Sequence, residues 1–263
     1  MEMGIKNRRA LVTGGARGIG EAIAFDLAKE GAKVVVTSRN KADLDKVLER
    51  MGGRKAGHEA FVVDLTVDGE PEKLIKKIEK KFGLLDIVVN NIGDTLGRTD
   101  HFAGKKDWKD VYRLNLEVGV EINNLVIPGM RERKWGRIVN VTAGAALENS
   151  GPVPYCSMKA AMTTYTRSTG RILAMLGGDV VMSALLPGVV ITKGGHWDTV
   201  MKERPEHAQK YLKDRCPLGR FGKPEEISPM AVLLCSERAT FCHGGIYLVD
   251  AGQAKHYVNI DGL

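Results

Sequence analysis

The chain has few aromatic residues and no long apolar segment. Aromatic side chains make up 6% of its 263 residues, and no stretch approaches the ~18 consecutive apolar residues that suggest a membrane-spanning helix. Residues 1–9 are polar and lack the apolar core of an export signal. These absences argue against membrane-spanning and exported classes, and we expect a cytoplasmic protein with no membrane partner.

Cysteine is also scarce. The four residues Cys156, Cys216, Cys235 and Cys242 lack the paired spacing of zinc sites. We therefore expect reduced thiols and no metal ion.

Positive charge is not concentrated in one region, although the net charge is +7. A nucleic-acid-binding surface usually needs a dense basic stripe or interleaved aromatic residues. The best candidate, Arg131-Glu132-Arg133-Lys134, is more typical of a solvated helix end. We expect no nucleic-acid partner, and the charge favours small anionic ligands.

Apolar runs alternate with amphipathic segments along the whole chain. The runs predict strands at residues 9–13, 33–37, 59–64, 85–90, 136–142, 180–186 and 245–250. The segments predict helices at residues 21–29, 41–50, 71–81, 108–130 and 155–176, the fourth ending near Pro128-Gly129. This alternation indicates an α/β fold, a single doubly wound Rossmann-type domain over residues 1–263, with a parallel seven-stranded sheet and helices on both faces.

A glycine-rich turn follows the first strand and opens the first helix. Gly14, Gly18 and Gly20 have the spacing G-x-x-x-G-x-G. Glycines in such a turn let the backbone approach a pyrophosphate at the helix N-terminus. The alternative is a turn without a ligand, but the flanking strand and helix favour dinucleotide binding.

The end of the second strand predicts which dinucleotide binds. An acidic residue there would hold the ribose 2′-hydroxyl of NAD, but this chain has Ser38-Arg39. Arg39, helped by Arg17 of the glycine turn, suits a 2′-phosphate. NADP is therefore the expected cofactor, unless Arg39 is an ordinary surface arginine.

Tyr155 and Lys159 lie four residues apart and share one face of a predicted helix. A phenol has an ordinary pKa near ~10, and a nearby ammonium lowers it. Such a pair can act as a general acid and base on a substrate oxygen. The alternative is an ordinary surface pair.

Together these motifs resemble the short-chain dehydrogenase/reductase family, in particular its 3-oxoacyl-[acyl-carrier-protein] reductase-like members. The matching segments are Thr13-Gly14-x-x-x-Gly18-x-Gly20, Asn90-Asn91-Ile92-Gly93, Asn115, Tyr155-x-x-x-Lys159, residues 187–192, residues 217–220 and residues 244–252. Their order and spacing cover nearly the whole chain.

The resemblance implies a set of cofactor-binding residues. The pyrophosphate would contact Gly14, Arg17, Gly18, Ile19 and Gly20. The adenosine half would contact Ser38, Arg39, Asp64, Leu65, Asn90 and Gly93. The nicotinamide half would contact Tyr155, Lys159, Pro187, Gly188, Val189 and Thr192. Asp64 as a strand-end cap and Thr192 as a helix N-cap are the alternatives.

The resemblance also implies a mechanism. The cofactor gives hydride to a carbonyl carbon, Tyr155 gives its proton to the oxygen, and Lys159 holds the ribose hydroxyls. Asn115 steadies a water chain that returns the proton. The alternative for Asn115 is a polar residue that satisfies an irregular helix.

One position departs from the family. The serine that holds the substrate oxygen is absent: Thr142 or Ala143 stands at its place, and Ser150 is a weaker candidate. If Ala143 occupies the site, the loss of one donor costs ~100-fold or more in rate. We predict Thr142 as the catalytic hydroxyl, with Ala143 beside the substrate.

Residues 193–215 are expected to form a substrate lid that opens with two glycines and continues with many charges. We expect a polar, anionic substrate such as a sugar derivative, with Trp197 stacking on it and His196 or a lid cation meeting its charge. The alternative is a solvated outer face of an amphipathic helix.

The resulting function is an NADP(H)-dependent oxidoreductase that acts on a carbonyl or secondary alcohol. One alternative is a 3-oxoacyl-[acyl-carrier-protein] reductase, for which Lys134 offers a docking charge but Leu176 and Gly177 do not. Another is a weakly catalytic NADP-binding sensor or structural protein. The resemblance also implies a homotetramer or homodimer. It would form through the helices at residues 108–130 and 155–176 and through the last strand, and the second of these helices bears the apolar residues Met162 and Ile172.

Overall fold

The computed structural model describes residues 2–148 and 150–254, and within them one parallel sheet of seven strands forms. The strands are β1 Arg9–Val12, β2 Lys33–Ser38, β3 Glu59–Val62, β4 Ile87–Asn90, β5 Trp135–Val141, β6 Asp179–Pro187 and β7 Ile246–Val249. The helices are α1 Gly18–Lys29, α2 Lys41–Arg50, α3 Glu70–Phe82, α4 Lys105–Tyr112, α5 Val118–Glu132, α6 Val153–Met175, α7 His196–Glu203, α8 Pro205–Arg215 and α9 Pro224–Leu234.

The strand order is β3-β2-β1-β4-β5-β6-β7, so the chain reverses direction across the sheet between β3 and β4. Leu11 of β1 lies opposite Val35 of β2 on one side and Val88 of β4 on the other. A crevice therefore opens where the carboxyl ends of β1 and β4 diverge, which is where doubly wound sheets bind ligands.

Both faces of the sheet are covered, as the continuous apolar strands predict. Val12 points into a cluster with Ile23 of α1, while its neighbour Leu11 points to the opposite face. There Leu11 packs with Ile78 of α3 and Ile122 of α5. The predicted doubly wound α/β fold is confirmed.

The helix predicted at residues 108–130 has different bounds and is not regular. It begins as α4 at Lys105, passes through a π-helical turn at Arg113–Glu117 and continues as α5 to Glu132. Pro128 does not end it, because this residue lies on the exposed side. Because proline has no N–H, the backbone carbonyl of Asn124, four residues earlier, receives no helical hydrogen bond from it, but Asn124 is exposed to solvent.

Three helices near the carboxyl end of the chain were not assigned from the sequence: α7, α8 and α9. Helix α9 packs against α1 and begins with a capping box, in which the Lys223 amide donates to a Glu226 carboxylate oxygen at 2.8 Å. Among the described helices, none has the length and apolarity needed to cross a membrane.

Candidate active site

A cavity of about 940 Å³ opens at the carboxyl ends of the strands. It is lined at one end by the glycine turn after β1 and by Ser38 and Arg39 after β2. At the other end it is lined by Tyr155 and Lys159 of α6 and by side chains of the 193–215 segment. The fold therefore brings the predicted cofactor and substrate residues to one continuous space.

The glycine turn fits closely against the segments around it. Gly14 and Gly18 have φ values of 62° and 58°, a region that side-chain-bearing residues rarely adopt. A Cβ on Gly18 would lie 2.8 Å from the Thr192 methyl group, and one on Gly20 would lie 2.4 Å from the Asn91 amide nitrogen. The turn therefore presents the N-terminus of α1, with its free N–H groups, directly to the cavity.

The end of the cavity predicted to bind adenosine carries an exposed arginine. Arg39 is 72% exposed, and its guanidinium lies 3.8 Å from the Asp64 carboxylate. Burial alone would raise the pKa of Asp64, but hydrogen bonds from the Thr66 hydroxyl and amide, together with Arg39, hold that pKa below its usual range. Leu65 lies buried beside this pair and lines the same wall.

Lys159 is the most enclosed charged group of the site, with 3% of its surface exposed. Its ammonium donates to the Val141 carbonyl at 3.1 Å and lies 5.7 Å from the centre of the Tyr155 ring. A Cβ on Gly93 would lie 2.6 Å from that ammonium. Glycine at position 93 therefore gives Lys159 the room it occupies.

The ionisation of the pair differs from the sequence expectation. Desolvation raises the pKa of the Tyr155 phenol above its ordinary value, and the nearby Cys156 and Asp94 raise it further. Desolvation lowers the pKa of Lys159 to about 8, with Asp94 acting in the opposite direction. Burial thus outweighs the expected lowering of the phenol pKa by Lys159, and Tyr155 is a protonated donor at neutral pH.

Asn115 lies inside the π-helical turn and does not line the cavity. Its amide nitrogen donates to the Val111 carbonyl at 3.0 Å and the Asp94 carbonyl at 2.9 Å. Its amide oxygen accepts from the Asp94 N–H at 3.1 Å. The side chain therefore does satisfy the irregular turn, and it fixes the loop that follows Gly93. Its part in a water chain stays a prediction.

Asn90 also lies outside the cavity lining. Its side-chain amide donates to the amide oxygens of Asn123 at 2.7 Å and Asn140 at 2.8 Å, within the buried interior. The side chain is thus occupied in the interior, and the predicted contact of Asn90 with the adenosine half of the cofactor stays a prediction. The other predicted cofactor residues line the cavity: Gly14, Arg17, Gly18, Ile19, Gly20, Ser38, Arg39, Asp64, Leu65, Gly93, Tyr155, Lys159, Pro187, Gly188, Val189 and Thr192.

Thr142, Ala143 and Ser150 all line the cavity. Thr142 is 4% exposed, and its hydroxyl lies 3.3 Å from that of Thr163 on α6. Ala143 is half-buried and carries no polar group. Thr142 as the hydroxyl that replaces the family's serine, with Ala143 beside the substrate, stays a prediction.

Trp197 forms the centre of an aromatic cluster in the 193–215 segment. Its ring centre lies 4.4 Å from that of Tyr211 and 4.9 Å from that of Phe221, and it stacks on His207 at 6.4 Å. His196 meets its edge at 5.3 Å. Both Trp197 and His196 line the cavity, but Trp197 also serves as a packing centre of α7 and α8.

Sequence reasoning missed Gln253, which is 5% exposed and lines the cavity. Its amide nitrogen donates to the Tyr211 hydroxyl at 3.1 Å, and its amide oxygen accepts from the Val189 N–H at 2.9 Å. It thereby connects α8 with the segment after β6. No motif or spacing marks either Tyr211 or Gln253.

Comparisons with known proteins agree with this geometry. The sequence profile of the short chain dehydrogenase family matches residues 8–200. The 3-oxoacyl-[acyl-carrier-protein] reductase FabG of Aquifex aeolicus is 34% identical over 256 residues, which cover 96% of this chain and 99% of that enzyme. FabG of Thermotoga maritima is 30% identical over 252 residues, covering 95% of this chain and 99% of that enzyme.

Solved structures show the same architecture. L-sorbose reductase of Gluconobacter frateurii, in complex with NADPH and L-sorbose, superposes with a TM-score of 0.87 at 28% identity, covering 97% of this chain and 99% of that one. A 3-oxoacyl-(acyl-carrier-protein) reductase of Agrobacterium tumefaciens C58 with NADP bound superposes with a TM-score of 0.86 at 30% identity, covering 95% of this chain and 96% of that one. This chain therefore belongs to the short-chain dehydrogenase/reductase family and is an oxidoreductase.

Proposed function

We propose that this chain is an NADPH-dependent reductase of a polar carbonyl compound, with Tyr155 as the proton donor. The observation that carries the proposal is the enclosed Lys159 ammonium, 5.7 Å from the Tyr155 ring, in the same cavity as the glycine turn. A donor and a dinucleotide cradle in one cavity are what carbonyl reduction requires.

The residues present fit an NADP cofactor. The glycine turn admits no Cβ at Gly18 or Gly20, and the N-terminus of α1 offers N–H groups to a pyrophosphate. Arg39, with Arg17 on the same cavity wall, matches a 2′-phosphate through charge and fork geometry. The neighbours solved with NADPH or NADP agree with this choice. When bound, the nicotinamide would supply hydride.

The chain's own groups would handle the proton. Tyr155, with its raised pKa, remains protonated and can donate to the substrate oxygen as that oxygen gains charge. Lys159, anchored on the Val141 carbonyl, would hold the ribose side of the cavity and favour the phenolate that forms. Residues 193–215 would close over the substrate as a lid on this single domain.

The cavity wall supports a polar substrate. His196, Arg204, His207 and Arg215 line the substrate end, so that end is not an apolar pocket. The likeness to a reductase solved with L-sorbose supports a hydroxylated substrate.

A second candidate is reduction of a 3-oxoacyl group on acyl carrier protein, which the FabG relatives support. An acidic carrier needs a basic docking surface. Lys134 is exposed, but Leu176, at 52% exposure, presents an apolar side chain where a second cation is expected. The alanine at position 143 supports the third possibility, a cofactor-binding protein with weak catalysis.

Turnover of a panel of ketoses, oxo acids and a 3-oxoacyl thioester with NADPH separates these functions. We expect NADPH oxidation with a polar carbonyl compound and its loss in Tyr155→Phe, which should still bind NADPH because only the donor oxygen is gone. Fastest turnover with the thioester would favour the carrier-protein role. Tight NADPH binding without turnover of any compound would favour the sensor.

We also propose that the chain forms a homotetramer or homodimer. Ile172, Met175 and Leu176 at the end of α6 are 54%, 75% and 52% exposed, and Leu125 of α5 is 37% exposed. Met162, by contrast, is buried and does not add to this surface. Light scattering should give at least twice the 28.7 kDa of one chain, and a monomer mass would contradict the proposal.

A further inference from the structure

The charged side chains of the 193–215 segment divide into two sets. Lys202 pairs with Asp198 at 2.8 Å and Lys210 with Asp214 at 3.1 Å, each within one helix turn and away from the cavity lining. Arg204 lines the cavity, and within residues 2–148 and 150–254 no carboxylate oxygen lies within 4 Å of its guanidinium. The two lysines are thus neutralised locally, whereas Arg204, an exposed side chain that lines the cavity, forms no ion pair with a carboxylate of the described residues.

Two imidazoles stand on the same cavity wall as Arg204. His196 begins α7 and His207 lies one turn into α8, where it stacks on Trp197. The charges of Arg204 and His207 both reach His196, since they add to desolvation in lowering its pKa. His196 thus meets the edge of the Trp197 ring, His207 stacks on its face, and Arg204 lines the same cavity.

This basic cluster lines the same cavity as Tyr155 and Lys159. Asp94, at the cavity wall, acts electrostatically on His196, Tyr155 and Lys159 alike. Its carboxylate accepts hydrogen bonds from Leu96 N–H at 2.9 Å and, more weakly, from the Thr95 hydroxyl at 3.5 Å within its own turn. Among the described residues, its carboxylate forms no ion pair with Arg204.

Arg215 is a separate charge at the other end of α8. Helix α8 spans 11 residues, Pro205–Arg215, so the backbones at positions 204 and 215 lie roughly 16 Å apart. The Arg215 guanidinium lies 5.9 Å from the Tyr211 ring. It therefore belongs to a different part of the wall, with Glu148 among the charges that act on Tyr211.

We infer that the substrate carries an oxyanion, a carboxylate or a phosphate, which Arg204 binds together with His196 and His207. An arginine with no carboxylate within 4 Å in the described part of the chain, two imidazoles that can donate and an aromatic ring form a receptor for such a group. The inference rests on the proposed reductase function and names the substrate class of that site. The anionic group would lie in the same cavity as the carbonyl carbon, because Tyr155 and the basic cluster line one continuous space.

The first test compares matched substrates with NADPH. A six-carbon oxo acid, its methyl ester and the corresponding ketose phosphate differ in charge while keeping the carbonyl. We expect kcat/KM for one of the two anions to exceed that of the ester by about 10-fold or more, as for a charged hydrogen bond. The preferred anion identifies the group, and added NaCl should raise its KM.

Variants of single residues test which side chains bind the anionic group. Arg204→Gln should lower kcat/KM for the preferred anion about 10-fold more than for the ester, and His207→Gln should do so to a smaller extent. Lys210→Gln, on the same helix but paired with Asp214 and outside the cavity, is the matched control and should change neither. Equal kcat/KM for ester and anions, or an equal loss for both in Arg204→Gln, would overturn the inference while leaving the reductase function intact.

If no compound is turned over, the proposed reductase function is refuted, but the oxyanion site can still be tested by measuring ligand binding. Calorimetry then measures the matching hydroxy acid and hydroxy phosphate against the NADPH complex, in which neither can react. Binding that weakens about 10-fold in Arg204→Gln but not in Lys210→Gln supports the oxyanion site. No binding, or equal binding in both variants, refutes it.

Discussion

The hydroxyl of Thr163 on α6 lies 3.3 Å from the hydroxyl of Thr142 and 2.9 Å from the Lys159 carbonyl. One hydroxyl has one proton, and the shorter contact to the carbonyl takes it. The contact between the two hydroxyls ties the end of β5 to the helix that carries Lys159.

This arrangement leads to a prediction for the position of the missing serine. Ala143→Ser should raise kcat, by up to about 100-fold, because it adds a donor to the cavity wall for the oxygen that gains charge. Thr142→Ala is the companion variant, measured on the same substrate. If Thr142 is the catalytic hydroxyl, as its position in the sequence predicts, its loss lowers kcat by a similar factor and Ala143→Ser adds nothing.

The cofactor preference depends on Arg39. In Arg39→Asp, a second carboxylate beside Asp64 would repel the 2′-phosphate and accept a hydrogen bond from a ribose hydroxyl. We expect the Kd for NADPH to rise about 10- to 100-fold and the Kd for NADH to fall or stay constant, measured by fluorescence titration. Lys46→Asp, an equal change of charge on the exposed face of α2, should leave the ratio unchanged. Equal Kd values for the two cofactors in the parent would contradict the prediction.

Lys159 should make stability depend on pH in a defined window. Its pKa is lowered from 10.5 to about 8 in the folded chain, so the unfolded chain binds more protons between these values and stability rises with pH there. At pH 7 the buried ammonium is fully charged and destabilising. Lys159→Met should therefore be more stable than the parent at pH 7, by up to about 3 kcal/mol, and this difference should shrink between pH 8 and 10.

Denaturant titrations at several pH values measure that difference. Subtracting the variant's free energy of unfolding from the parent's removes the contribution of the tyrosines and cysteines that titrate in the same pH range. A difference that stays constant from pH 7 to 10 would show that Lys159 has an ordinary pKa. The variant should also be inactive, because it no longer offers the ammonium beside Tyr155.

The sheet and most of its helices could be predicted because apolar periodicity and glycine spacing are local properties of the sequence. Residues whose hydrogen-bond partners are brought together only by the fold could not be predicted in this way. Asn115 occupies a π-helical turn that no periodicity marks, and Asn90 turns into a buried amide network with partners 33 and 50 residues away. The pKa of Tyr155 could not be predicted either, because its direction depends on burial rather than on the spacing to Lys159.

Gln253 could not be predicted from the sequence either, and its two hydrogen bonds lead to the last prediction. It joins Tyr211 of α8 to the Val189 N–H across gaps of 42 and 64 residues. Tyr211→Phe removes only the bond to α8, whereas Gln253→Ala removes both and leaves the Val189 N–H without that acceptor. We expect Tyr211→Phe to raise KM for the carbonyl substrate several-fold with little change in NADPH binding, since the 193–215 segment loses one tether. Gln253→Ala should raise both KM and the Kd for NADPH and lower stability by about 1 to 3 kcal/mol. Steady-state kinetics, NADPH titration and thermal unfolding of both variants check this order, and identical effects of the two changes would show that Gln253 does not couple α8 to the segment after β6.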